Sequence, residues 1–242
     1  NFFSDKEWYL LAILENAFEP LPASFLKRMV MEQNWDDNTF HKVLSRLSRS
    51  SFVITNVADS TPLYLLSPSC RKYIGDRTEF SKAQGSMISY EIAQKIRYIK
   101  DFKSESKDEN LGNYIDFECI NLDKAFLGYE TREIYLKEKN NRQRLKEKLL
   151  KFSSEFILEP FAPIELHLAL LYTQEEEIYE AESHFQTALE YSDTPLNTDK
   201  VLYHYAMFKH QKVGQSNLAQ DFLKQINSHS VEVAILKSKF ES

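Results

Sequence analysis

One pattern of small and large apolar residues occurs twice near the C-terminal end of the chain, and it limits the fold more than any other feature. The stretch APIELHLALLYTQEEEIYEAESHFQTALEYSDTP, residues 162–195, is 34 residues long and contains two runs with helical spacing. A weaker copy, KVLYHYAMFKHQKVGQSNLAQDFLKQI, spans residues 200–226. Because an isolated helix pair cannot bury its own apolar faces, the pattern predicts a stack of helix pairs.

The first stretch resembles a tetratricopeptide repeat (TPR), which has this length. The matching positions are Leu168, Ala169, Tyr172, Ala181, Phe185 and Ala188 in the first unit and Tyr203, Ala206, Met207, Gly214, Ala219, Leu223 and Ile226 in the second. The alanines let paired helices approach closely, and the aromatic residues fill the space between repeats. The resemblance implies a TPR-like α-solenoid over residues 161–242, in which residues 231–240 begin a third unit or form a capping helix.

The resemblance also implies a surface for a protein partner, because the first helix of each TPR lines the concave side of the stack. The predicted partner-binding residues are Leu166, Leu170, Thr173, Gln174, His204, Phe208, Gln211 and Lys212. Phe208 among polar neighbours is predicted to be a binding hot spot. The alternative is that Leu166, Leu170 and Phe208 pack against adjoining helices, which leaves contacts with the partner to the polar residues.

The N-terminal third has the element order of a winged-helix domain. Residues 4–17, SDKEWYLLAILENA, begin with a capping box of Ser4 and Glu7 and continue as an amphipathic helix. Two more amphipathic stretches follow at residues 19–30 and 35–50. The runs SFVITNV and LYLLS, joined by the turn-rich ADSTP, then predict a β-hairpin. Three helices and a two-stranded wing predict a winged helix over residues 1–78.

Winged helices often bind DNA, and the third helix has basic residues in a suitable place. Lys42, Arg46 and Arg49 recur on the side opposite the apolar face, where a recognition helix contacts DNA. However, residues 1–75 carry eight basic and eight acidic side chains, a net charge of zero. Such a domain lacks the electrostatic attraction that supplies most non-specific affinity for DNA, so a winged helix that faces a protein is the default prediction.

The end of the hairpin resembles a second family. YLLSPSCRKY, residues 64–73, is similar to the Y-x-L-H-P-L-L-R-E-Y pattern that ends the winged helix of STAND signal-transduction ATPases. Ser67 stands where many members have a His that contacts the β-phosphate of ADP, and its hydroxyl can also donate to phosphate. The resemblance implies a sensor segment of a longer NTPase, which binds ADP or ATP and oligomerises on activation. Its repeats would recognise a protein trigger, in bacteria often a phage protein.

The middle of the chain, residues 79–160, is predicted to be a helical linker. Within it, KSESKDENLGN, residues 103–113, is polar and charged and predicts a mobile loop. Residues 132–151 have a local charge of +5, whereas residues 175–193 contain seven acidic residues and no Lys or Arg. These are either two solvated helix faces or two regions that dock on each other or on a partner.

No motif in the sequence points to catalysis or to a bound cofactor. It contains neither of the glycine-rich phosphate-binding motifs, and its six histidines lack the spacing of a zinc site. Cys70 and Cys119 fit a reducing compartment, and we expect a cytoplasmic, non-catalytic protein with no membrane span. Two functions remain open: a STAND-type sensor, or a transcriptional regulator that combines a DNA-binding winged helix with TPR-like repeats.

Overall fold

The computed structural model is mainly helical, as predicted, and describes residues 3–17, 19–31, 33–58, 61–76, 85–105, 110–156, 159–227, 234–236 and 238. The chain divides into two compact units, residues 1–101 and 102–242. The sequence-based ranges 1–78, 79–160 and 161–242 have different boundaries. Residues 79–84 of the predicted linker, residues 106–109 of the predicted loop and most of residues 231–240 lie outside the described residues.

Unit 1 begins with helices α1 (Asp5–Ala17), α2 (Ala23–Met31) and α3 (Asp37–Arg49). The predicted capping box starts α1: the Ser4 N–H donates to the Glu7 carboxylate at 2.8 Å, and the Glu7 N–H donates to the Ser4 hydroxyl at 3.4 Å. The carboxylate of Asp36 caps α3 by accepting from the Thr39 N–H at 2.6 Å. The apolar faces of the three helices meet in a core that includes Leu10, Leu14, Phe25, Leu26, Phe40 and Leu47.

A three-stranded antiparallel sheet completes the first part of unit 1. Its strands are β1 (Leu21–Pro22), β2 (Val53–Ala58) and β3 (Thr61–Leu66), in the order β1-β3-β2. The predicted hairpin is present, with pairs running from Val53–Leu66 to Ala58–Thr61. β1 was not predicted, because two residues are too short to show an alternating pattern. Helices α4 (Pro68–Asp76) and α5 (Gly85–Glu105) follow, and the last four residues of α5 belong to unit 2.

Unit 2 contains three consecutive helix pairs. They are α6 (Leu122–Glu138) with α7 (Arg142–Phe156), α8 (Ala162–Gln174) with α9 (Ile178–Glu190), and α10 (Pro195–Gln211) with α11 (Ser216–Gln225). The members of each pair pack together, and α8, the first helix of the middle pair, also contacts α6 and α10, the first helices of the other pairs. The first helices of the three pairs are therefore neighbours.

Most of the residues that define the repeat pattern lie in the interior of this stack. Ala169, Ala181 and Ala188 are fully buried. The ring of Phe185 on α9 stacks on that of Tyr205 on α10, with 4.9 Å between their centroids, and so joins two helix pairs. Gly214 connects α10 to α11 with a φ of 72°, a conformation that favours glycine. Within the described residues, none of the helices is long and apolar enough to cross a membrane.

Candidate partner-binding groove

Residues 110–119, which we call the strap, lie across the first helices of all three pairs. The strap begins with a turn, in which the Asn113 N–H donates to the Asn110 carbonyl at 3.1 Å, and continues without helix or strand structure. The ring of Tyr114 contacts one aromatic ring from each helix. The centroid of the Tyr114 ring lies 5.8 Å from the ring centroid of Tyr135 on α6, 5.2 Å from that of His167 on α8 and 5.6 Å from that of His204 on α10. These three helices form a groove that the strap occupies.

Side chains of α10 hold the strap by its main chain. The amide of Asn197 accepts from the Glu118 N–H at 2.9 Å and donates to the Glu118 carbonyl at 2.9 Å. The ammonium of Lys200, which is fully buried, donates to the Asp116 carbonyl. Because every residue except proline has these main-chain groups, the contacts recognise a chain in this conformation and do not depend on its sequence.

Two apolar side chains anchor the ends of the strap. Leu111 and Phe117 are 0% and 1% exposed. Leu111 packs with Leu202 and Ala206 of α10 and with residues of α11. Phe117 lies in a second cluster, together with Leu166 of α8 and Phe185 of α9. The groove thus has two apolar pockets that accept residues six positions apart.

Between these pockets the groove contains two buried histidines, His167 and His204, which are 2% and 6% exposed. Nδ1 of His167 donates to the Pro163 carbonyl at 2.7 Å, and His204 makes a hydrogen bond to the main chain of Leu111. Nε2 of each ring has no hydrogen-bond partner among the described residues. Burial lowers the pKa of each histidine to about 4, so both are neutral at pH 7. Because His167 donates through Nδ1 and is neutral, its Nε2 is an unused acceptor.

The structure corrects part of the predicted partner-binding surface. Leu166, His204 and Phe208 are buried, with Phe208 only 2% exposed. The Phe208 ring packs 5.1 Å from that of Phe185, so it is a core residue and not an exposed hot spot. α8 and α10 contact the strap on one side and their paired helices on another, which buries most of their residues.

The remaining predicted partner-binding residues are partly or fully accessible. Leu170 and Thr173 are half-buried, and the Thr173 hydroxyl donates to the Ala169 carbonyl at 2.7 Å. Gln174, Gln211 and Lys212 are exposed. Gln174 and Gln211 follow His167 and His204 by seven residues, which is two helical turns, so they extend the strap-contacting sides of α8 and α10.

Sequence reasoning missed the strap because it interpreted residues 103–113 as a mobile loop. Leu111, Tyr114 and Phe117 are large apolar residues spaced three apart in polar surroundings, and this spacing was the available signal. Asn197 and Lys200 were also missed, because they belong to the polar run NTDK at the start of α10, where the sequence does not distinguish them from solvent-exposed residues.

An ion pair joins the basic region, residues 132–151, to the acidic region, residues 175–193, which the sequence predicts either to be solvated or to dock. The ammonium of Lys146 on α7 bonds to the Glu175 carboxylate and lies 4.3 Å from the centre of the Tyr172 ring. This hydrogen bond raises the pKa of Lys146 above its ordinary value. At least one contact therefore joins the basic residues 132–151 to the acidic residues 175–193.

In unit 1, Ser67 is buried and helps to begin α4. Its hydroxyl accepts from the Cys70 N–H at 3.2 Å, and its own N–H donates to the Phe52 carbonyl at 2.9 Å. This is the role of a helix N-cap, and nucleotide contact by Ser67 stays a prediction. Burial raises the pKa of the Cys70 thiol to about 11, so it is protonated at pH 7 and a poor nucleophile.

The basic residues predicted to contact nucleic acid lie on the exposed side of α3. Lys42, Arg46 and Arg49 border a shallow depression together with His41, Ser45 and Ser50. Nε of Arg46 is 2.9 Å from Oε1 of Glu7, a carboxylate that is only 2% exposed. Arg46 thus balances the charge of a buried carboxylate, which reduces its availability to phosphate.

The described residues contain no group of three or more His, Cys, Asp or Glu side chains that could hold a metal ion. The comparisons with known proteins were negative: no family model, curated protein or solved structure matches the chain.

Proposed function

We propose that this chain is a non-catalytic recognition segment that binds a non-helical stretch of a protein partner in the groove of unit 2. In this proposal unit 2 is a TPR-like solenoid, and the N-terminal part of unit 1 is a winged helix. The observation that carries the proposal is that Asn197 and Lys200 form hydrogen bonds to the main chain of a non-helical segment. A groove that holds one such segment has the chemistry to hold another.

The sensor role in a STAND-type ATPase is the setting that the sequence resemblance favours. The order of helices and strands in unit 1, with β1 beside β3, fits a winged helix, and YLLSPSCRKY spans the end of β3 and the start of α4. In this setting the groove recognises the trigger protein, and ADP or ATP binds to a separate nucleotide module. The chain itself would then act by binding.

A second candidate is a DNA-binding regulator, and the exposed basic residues of α3 are the observation that favours it. Lys42 and Arg49 are exposed on the side of α3 away from the core. The zero net charge of residues 1–75 and the pairing of Arg46 with Glu7 count against it. We therefore favour recognition of a protein.

Photo-crosslinking in the source organism tests the groove directly. A photoreactive residue at Gln174 or Gln211 lies on the groove side of unit 2, whereas one at Gln186 is exposed on α9 and serves as the control. We expect the two groove positions to crosslink to the same protein and the control position not to do so. Equal crosslinking from all three positions would argue against a specific groove.

Binding of the identified protein to the purified chain is the second step. We expect the double variant Gln174→Arg, Gln211→Arg to weaken binding by about tenfold or more, because two large side chains obstruct the open end of the groove. The matched variant Gln186→Arg should bind like the wild type. Unchanged affinity of the double variant would move the binding site elsewhere.

A further inference from the structure

We propose that the strap is a built-in substitute for the partner's segment and that the partner binds by displacing it. This inference rests on the proposed function. The partner's segment would present two apolar side chains six residues apart, as Leu111 and Phe117 do, and between them a neutral side chain that donates hydrogen bonds. Its occupancy of the groove would release residues 110–119.

The two histidines show that the strap does not satisfy all the polar groups of the groove. Protein interiors pair nearly all of their buried polar atoms, and exceptions often mark functional sites. Here the Nε2 atoms of both His167 and His204 lack a partner among the described residues, and both rings contact Tyr114. The phenol hydroxyl of Tyr114 lies 3.2 Å from the Tyr135 hydroxyl.

The missing partner of His167 is a donor, because this histidine is neutral and its Nδ1 already donates to the Pro163 carbonyl, which makes Nε2 an acceptor. A carboxylate cannot donate, and a buried ammonium would be expensive to desolvate. A side-chain amide supplies two N–H donors without a charge. A segment with Asn or Gln near the position of Tyr114 would therefore satisfy groups that the strap leaves unpaired.

A partner's segment can replace the strap because the hydrogen bonds that hold the strap are largely independent of its sequence. Asn197 and Lys200 bond to main-chain atoms of Glu118 and Asp116, which a second segment would provide equally well. The side chains that distinguish the strap are its apolar anchors and Tyr114. Competition between strap and partner would thus be decided by these positions.

Cys119 provides a direct readout, because it lies at the end of the strap and is buried. The experiment uses the full chain with Cys70→Ala, so that Cys119 is its only thiol. Its labelling by a thiol-reactive dye is followed with increasing amounts of the synthetic peptide NLGNYIDFES, which is the strap sequence with Ser in place of Cys119. We expect the labelling rate to rise with peptide concentration and to saturate, whereas a scrambled peptide should have no effect.

A matched pair of peptides tests the chemistry of the histidine site. One has Gln and the other Met at the position of Tyr114; these side chains are similar in size, but only Gln donates hydrogen bonds. We expect the Gln peptide to bind about tenfold more tightly, measured from the concentration that gives half-maximal labelling. Equal binding of the two peptides would overturn the inferred donor.

Two other outcomes would overturn the displacement itself. If no peptide changes the labelling rate and Cys119 reacts only as fast as the chain unfolds globally, the strap is a permanent part of the core. If labelling without peptide depends on protein concentration and a dimer forms, the occupant is the strap of a second copy. Gln174 and Gln211 are exposed with the strap in place, so a partner that binds only at this end of the groove would still crosslink if the strap stays bound. Failure of the displacement is therefore distinct from failure of the proposed function.

Discussion

Phe208 shows how a single residue changes role between sequence and structure. In the sequence it has polar neighbours, but its ring lies beside those of Phe185 and Tyr205, and it is 2% exposed. Truncating a buried Phe removes its apolar contacts and leaves a cavity. We expect Phe208→Ala to lower the free energy of unfolding by about 3–5 kcal/mol, measured by urea denaturation.

Gln211 is the matched control for this prediction, because it lies on the same helix and is exposed. We expect Gln211→Ala to change the free energy of unfolding by less than about 0.5 kcal/mol. If the Phe208→Ala protein is as stable as the wild type, Phe208 is not a core residue, and the prediction that it is a binding hot spot stands.

At the scale of elements, the close packing of α6 depends on Gly128. A Cβ at this position would lie 2.7 Å from Cε1 of Phe102 and 3.3 Å from Sγ of Cys119. Helix propensity alone favours Ala over Gly by about 1 kcal/mol. Overpacking is the larger effect here, and we expect Gly128→Ala to destabilise unit 2 by about 1–3 kcal/mol in urea denaturation.

The phenyl ring of Phe102 supplies the control. In a Phe102→Leu background the closest ring atoms are absent, so Gly128→Ala should destabilise less than it does in the wild type. If Gly128→Ala is stabilising in both backgrounds, helix propensity outweighs packing at this position.

The two histidines beneath the strap make the stability of unit 2 dependent on pH. The pKa values of His167 and His204 are lowered from 6.5 to about 4, mainly by burial, and the neighbouring His167 and Lys200 contribute to the lowering at His204. A lowered histidine pKa means that the unfolded chain takes up protons first as the pH falls. The stabilisation is complete above pH 6.5 and is lost as the pH falls towards 4, by about 3 kcal/mol per histidine.

The measurement compares urea unfolding of the wild type and of the double variant His167→Gln, His204→Gln between pH 7 and 4. The carboxylates titrate in both proteins, so their contribution cancels when the pH profiles of the two proteins are subtracted. We expect the wild type to lose more stability than the variant as the pH falls. Identical pH profiles would mean that the histidines accept protons without loss of structure.

At the scale of the whole molecule, the distribution of charge bears on nucleic acid. The chain has a net charge of −6, and the basic residues of α3 are offset by acidic residues within residues 1–75. We expect only weak binding to mixed-sequence duplexes at physiological salt, without sequence preference, measured by fluorescence anisotropy. Submicromolar, sequence-selective binding that Lys42→Ala and Arg49→Ala abolish would instead favour the DNA-binding regulator.

The local elements could be predicted from the sequence because their signals are local. The capping box of Ser4 and Glu7 starts α1, the turn-rich ADSTP marks where β2 ends and β3 begins, and the spaced alanines mark the helix pairs of unit 2. Each of these depends on residues within a few positions or within one repeat, where backbone geometry fixes which side chains meet.

The candidate site was decided by tertiary structure, because its contacts join residues far apart in the chain. Asn197 meets Glu118 across 79 positions, and Lys200 meets Asp116 across 84. Neither pair has a spacing that a pattern could reveal. The sequence alone determined that the chain forms stacked helix pairs with apolar residues at helical spacing. Only the packing of α6, α8 and α10 decided that a polar-looking loop becomes the strap and that Phe208 is buried, because burial depends on which surfaces of distant elements meet.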